Sequence, residues 1–85
     1  MTPVLMYCTG GCPYCHSAER LLEKKGVRDI ERIRVDLEPG RRAEMMQRSG
    51  RRSVPQIWIG ARHVGGCDEL YELEADGELD ALLQA

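Results

Sequence analysis

With 85 residues the chain has room for one domain and a small core. Hydrophobic residues make up 42% and charged residues 31%, a balance that excludes a disordered chain. A formal net charge of -2, with acidic and basic residues interleaved, points away from nucleic acid, and no run approaches the ~20 apolar residues of a membrane helix.

The continuous apolar run Val4-Leu5-Met6-Tyr7-Cys8 predicts a central strand covered on both faces. Thr9-Gly10-Gly11 is a turn. A helix is expected from Pro13 to about Lys25, with Cys15, Ala18, Leu21 and Leu22 on its buried side and Gly26 as its stop. Ile30 to Asp36 alternates Ile33 and Val35 with Arg32 and Arg34, the pattern of a half-exposed strand. Pro39-Gly40 turns into a second helix, Arg41 to Ser49, with a thin apolar face of Ala43 and Met46 and a stop at Gly50. Gln56 to Ile59 is another apolar strand, and Gly60-Ala61 a two-residue hairpin into Arg62-His63-Val64. Gly65-Gly66 opens a helix burying Leu70 and Leu73, and a last short helix after Gly77 buries Leu79, Leu82 and Leu83. The order βαβ, then αββα, predicts an α/β fold. A right-handed parallel crossover and an antiparallel hairpin would share one four-stranded mixed sheet, with helices on both faces.

Chemistry concentrates at Cys12-Pro13-Tyr14-Cys15. The spacing puts Cys12 at the N-cap, Pro13 at N1 and Cys15 at N3 of the first predicted helix. A thiolate at the N-cap gains backbone N–H donors and the positive end of the helix dipole, so Cys12 is the candidate nucleophile and Cys15 the resolving thiol. The benefit of an acidic thiol is specific. Lowering a pKa from ~8.5 to ~5 raises the thiolate fraction at pH 7 roughly 30-fold but costs roughly 50-fold in intrinsic nucleophilicity. What improves is departure, since a low-pKa sulfur leaves quickly when a second thiol attacks its disulfide.

Four cysteines could also form a two-bridge secreted scaffold, but Cys8, Cys12 and Cys15 crowd one segment and only Cys67 lies far away. A catalytic disulfide in a reducing compartment fits better, and the start of the chain lacks the basic region and cleavage site of a secretory signal, so a cytoplasmic location is expected. No metal site is expected, because one CxxC supplies two ligands and neither a second CxxC nor a paired His completes the set. Inert packing is expected of Cys8 and Cys67, a solvent-facing position of His16, and a core position of Trp58.

The segments Cys12-Pro13-Tyr14-Cys15-His16, Ser53-Val54-Pro55-Gln56-Ile57 and Gly65-Gly66-Cys67-Asp68-Glu69-Leu70, in this order and spacing, resemble the small bacterial dithiol glutaredoxins. The resemblance implies a thioredoxin fold with residues 1–85 as a single domain. It also implies glutathione as electron donor, with no permanently bound cofactor, and reduction of glutathionylated and disulfide-containing proteins by a monomer. A cis Val54–Pro55 bond follows from it, with extended Val54 offering its N–H and C=O to glutathione like an added strand. Gly66, Cys67 and Asp68 would receive the γ-glutamyl end, Asp68 pairing with its ammonium or serving as a helix cap. Arg42, or else Arg52, would face the glycyl carboxylate, and Tyr14 would pack on the ligand. Thr9 stands where the family commonly has lysine, and Ser53 where it commonly has threonine. Two other readings of the same residues are an iron–sulfur cluster carrier and a redoxin reduced by thioredoxin reductase. The Trp-Ser-Gly-Phe-Arg-Pro stretch usual in the latter is absent.

Overall fold

A computed structural model describes residues 1–85. Its elements are β1 (Val4–Cys8), α1 (Pro13–Lys24), β2 (Ile30–Arg34), α2 (Arg41–Ser49), β3 (Gln56–Ile59), β4 (Arg62–Gly65), α3 (Cys67–Ala75) and α4 (Leu79–Gln84). The four strands form one sheet in the order β2-β1-β3-β4. β1 runs parallel to β2 and antiparallel to β3, and β3 and β4 form the hairpin, Ile59 opposite Arg62 across two loop residues. This is the expected mixed sheet. No helix is long and apolar enough to cross a membrane.

Strand alternation divides the core in two. Val4, Met6 and Cys8 of β1 and Ile57 and Ile59 of β3 face α1, α3 and α4, where they meet Ala18, Leu21, Leu22, Leu70, Leu73, Leu79 and Leu83. Tyr7, Trp58 and Ile33 point the other way, onto Val35 and onto Met45 of α2. Helices therefore cover both faces. The buried side of α1 is Cys15, Ala18, Leu21 and Leu22, as the 3.6-residue spacing predicts. Gly26, with φ 94°, follows it in the left-handed region that stops a helix at little steric cost.

Two expectations need correction. β2 ends at Arg34 rather than Asp36. Val35 is still buried and donates its N–H to the Cys8 carbonyl at 3.0 Å, but Leu37 and Glu38 then fold back onto the Arg34 carbonyl and close a turn. The apolar face of α2 is also shifted. Ala43 is exposed, Met45 is fully buried and Met46 half-buried. The reason lies in the polar residues beside Met45. Glu44 and Arg48 both bond the buried Tyr7 hydroxyl, and the Arg48 guanidinium stacks 4.5 Å from the Trp58 ring centroid. Glu44, Met45 and Arg48 thus turn one side of α2 to the aromatic pair, while Arg41 pairs with Glu38 and Glu44 at the surface.

The C-terminal helix is tied back to the start of the chain. Thr2 donates its N–H to the Leu83 carbonyl at 2.9 Å and its hydroxyl to the Leu82 carbonyl at 2.9 Å. Lys25 bridges Glu74 at 2.7 Å and Asp80 at 3.3 Å, pinning the end of α1 to α3 and α4.

Candidate active site

The crossover β1–α1 delivers Cys12 to the first turn of α1. Its backbone is extended (φ -95°, ψ 110°), and its sulfur accepts the Cys15 N–H at 3.3 Å, so the side chain caps the helix. Pro13 occupies the position where a missing N–H costs nothing. Cys12 is 8% exposed and Cys15 only 2%, and both belong to the core around α1. Burial, followed by the hydrogen bond with Cys12, pushes the Cys15 thiol up to about 12, while a hydrogen bond from the Thr9 backbone pulls the other way. Cys15 therefore keeps its proton at neutral pH. Burial likewise raises Cys8, which sits at the C-terminal end of β1 inside the core.

The second wall comes from the loop before β3. The Val54–Pro55 peptide bond is cis, and the Val54 carbonyl oxygen lies 3.9 Å from the Cys12 sulfur. Gln56, fully buried, fixes this loop from behind. Its amide donates to the Ser53 carbonyl at 2.9 Å, and its oxygen pairs with His63 Nε2 at 2.8 Å. His63 also stacks on Trp58, with ring centroids 4.5 Å apart, so one side chain links β4 to the cis-proline loop.

The third wall is the β4–α3 junction. Gly65 has φ 115°, and a Cβ there would stand 2.5 Å from Glu69 Oε1, so only glycine fits both the backbone and the space. Glu69 accepts the Gly66 N–H at 2.6 Å, half of a capping box, and Arg51 at 2.7 Å. These bonds, the Gly66 N–H first, hold the Glu69 carboxyl below its usual value. The N–H groups of the first α3 turn remain without intrahelical partners, as at any helix start.

Together the walls enclose a cleft of about 230 Å³. Tyr14, Val54, Pro55, Gly66, Cys67 and Asp68 line it. Tyr14 stands open at the mouth, whereas Cys67 contributes to the core cluster as well. Arg42 lies outside the lining, on the exposed side of α2, and donates to the Arg52 carbonyl at 3.2 Å. Arg51, Ser53 and Glu69 complete the lining. Of these, Glu69 has a sequence signal, an acidic residue three positions after the Gly66 cap. Nothing local marks Arg51, whose guanidinium reaches across the cleft to an element 18 residues away.

No set of three or more His, Cys, Asp or Glu side chains is arranged to hold a metal ion. The arrangement suits a different ligand. An extended chain could lie along Val54, place an acidic terminus at the α3 N-terminus, and bring a sulfur to Cys12.

Comparison with known proteins points the same way. The glutaredoxin family model matches residues 4–64. The chain is 54% identical over 85 residues to a glutaredoxin of Pseudomonas aeruginosa, covering 100% of both chains. It is 50% identical over 84 residues to glutaredoxin 3 of Escherichia coli, covering 99% of this chain and all of the relative. Among solved structures, the buckwheat glutaredoxin–glutathione complex superposes with a TM-score of 0.89 at 32% identity, over 98% of this chain and 77% of that one.

Proposed function

The chain belongs to the glutaredoxin family and is a glutathione-dependent thiol–disulfide oxidoreductase; from that premise we propose that Cys12 is its nucleophile and Cys15 its resolving thiol. One observation carries the assignment. Cys12 is the less buried sulfur, capping the helix N-terminus 3.9 Å from the Val54 carbonyl of the cleft wall, while Cys15 is buried deeper and holds its proton.

The chemistry balances as two exchanges. The Cys12 thiolate attacks the glutathione sulfur of a glutathionylated substrate, forming the Cys12–glutathione disulfide and releasing the substrate as its thiolate. The thiolate of a second glutathione then attacks the glutathione sulfur of that mixed disulfide. Oxidised glutathione departs and the Cys12 thiolate is restored. With a protein disulfide, Cys12 forms a mixed disulfide with one sulfur and expels the other. Cys15 then gives up its proton and attacks the Cys12 sulfur, breaking the mixed disulfide and releasing the second substrate sulfur as its thiol. This leaves a Cys12–Cys15 bridge that two glutathiones reduce to two thiols as they become oxidised glutathione.

Glutathione would lie extended along Val54, with its cysteinyl segment pairing to that backbone. Its γ-glutamyl carboxylate would sit at the N–H groups of Gly66 to Asp68, with the Asp68 carboxylate at its ammonium. Tyr14 would cover the sulfur end, and Arg42, turned away from the Arg52 carbonyl it now bonds, the glycyl end. The lining of the cleft and the buckwheat glutathione complex support this pose. We further propose that residues 1–85 form one such domain, acting as a monomer in the cytoplasm on glutathionylated and disulfide-containing proteins.

Replacing each cysteine in turn tests the assignment. Cys12→Ser is expected to abolish turnover of a glutathione mixed disulfide in a coupled glutathione reductase assay, and Cys15→Ser to retain it. The reverse pattern overturns the roles.

A further inference from the structure

The turn that presents Cys12 is held from the neighbouring strand. Thr9, Gly10 and Gly11 join β1 to α1, and two glycines leave this turn almost no side-chain packing of its own. The parallel register brings the end of β2 beside it, with Cys8 opposite Arg34. Arg34 Nε and Nη2 grip the two oxygens of Asp36 at 2.8 and 2.7 Å. The same carboxylate accepts the Gly10 N–H at 3.3 Å. Arg34 is pressed so close that a Cβ on Gly10 would stand 2.4 Å from its Nη2. Gly10 is not in the left-handed region, so its lack of a side chain serves space rather than backbone freedom.

As a stability device this pair is weak. The side chains are 38% and 34% exposed, and ion pairs this open to water typically add little to stability. As a positioning device it is well placed, because it bonds the main chain two residues before the reacting sulfur. Disulfide exchange needs three sulfurs near a line, and a misplacement of about 1 Å can cost up to about 100-fold in rate.

Resting on Cys12 as the nucleophile, we propose that Arg34 and Asp36 are positioning residues for the reaction: they clamp the Thr9–Gly11 turn and so set where the Cys12 sulfur stands relative to the Val54 carbonyl. The bidentate pair fixes the carboxylate, the carboxylate holds Gly10, and the guanidinium closes the space beside it. Neither residue touches the substrate.

Gly10 offers a test that removes no charge. In Gly10→Ala the new methyl displaces the Arg34 guanidinium, a flexible end that can swing into solvent at little cost in stability. Arg34→Gln breaks the same clamp from the other side. Each variant is expected to lower kcat for a glutathionylated peptide by about three- to tenfold, with KM and thermal midpoint close to wild type. The double variant should be no slower than the slower single, since both remove one interaction. Arg34→Lys, keeping one of the two bonds, should recover part of the rate. Effects that multiply in the double variant, rates equal to wild type, or activity lost in step with thermal midpoint would each overturn the proposal. A wrong nucleophile would show itself separately, through turnover surviving in Cys12→Ser.

Discussion

The Cys15 backbone N–H reaches the Cys12 sulfur at 3.3 Å, so the two cysteines are joined by the main chain before any bond forms between their side chains. The relation is unequal. Cys12 caps the helix N-terminus and stands 3.9 Å from the Val54 carbonyl, while Cys15 lends its amide and lies deeper in the core, 2% exposed against 8%. One residue is thereby placed to exchange with an outside partner and the other to wait beneath it.

The buried thiol has a consequence at alkaline pH. Cys15 holds its proton more tightly in the folded chain than an ordinary thiol of pKa ~8.5 does in the unfolded one. Between those two values the unfolded state binds fewer protons, so stability falls as pH rises. The contribution is intact below the ordinary thiol pKa and is lost progressively towards about 12. Reduced wild type should therefore lose more stability between about pH 8 and about pH 10 than Cys15→Ser does, measured by urea midpoints. Equal losses would contradict this account of Cys15.

Glu69 acts in the opposite direction. Its carboxyl is depressed by the Gly66 N–H and by Arg51, so its stabilisation is present above the unfolded carboxylate pKa and disappears as pH falls through the folded value. Glu69→Gln should cost about 1 kcal/mol near neutral pH, the scale of a helix cap. The gap between variant and wild type should narrow as pH falls below the ordinary carboxylate range, which urea denaturation at several pH values would reveal. A gap independent of pH would mean the carboxylate charge is irrelevant to the cap.

The shifted face of α2 gives a packing prediction. Met45 is fully buried against Tyr7, Ile33, Val35 and Trp58, so Met45→Ala should destabilise by about 2–4 kcal/mol. Ala43→Ser, on the exposed side, should change stability by less than about 0.5 kcal/mol. Comparable losses at the two positions would show that the helix does not sit as described.

These elements also show what a sequence makes legible. α1 could be read in full because Cys15, Ala18, Leu21 and Leu22 recur at helical spacing between a proline start and a glycine stop. α2 could not, since the side it turns to Tyr7 and Trp58 carries Glu44 and Arg48, whose polarity masks the periodicity around Met45. The end of β2 was hidden for a related reason. Val35 continues the strand's alternation of burial after the ladder has given way to a turn.

The site divides along the same line. Cys12, Cys15, Val54, Pro55 and Gly66 to Asp68 stand in short contiguous segments with local signals. Arg51 meets Glu69, and Asp36 meets Gly10, only because the fold brings distant segments together. Arg42, read as a ligand-facing residue, lies outside the cleft lining and donates to the Arg52 carbonyl at 3.2 Å, a side-chain direction that spacing does not encode.

The central claim is that Cys12 is the sulfur that takes up glutathione, and trapping tests it most directly. Cys15→Ser, treated with oxidised glutathione and digested for mass spectrometry, should carry the adduct on Cys12, the sulfur that caps α1, with Cys8 and Cys67 left as thiols. An adduct on Cys8 or Cys67 beside an unmodified Cys12 would contradict the account, as would Cys15 in Cys12→Ser accepting glutathione just as readily.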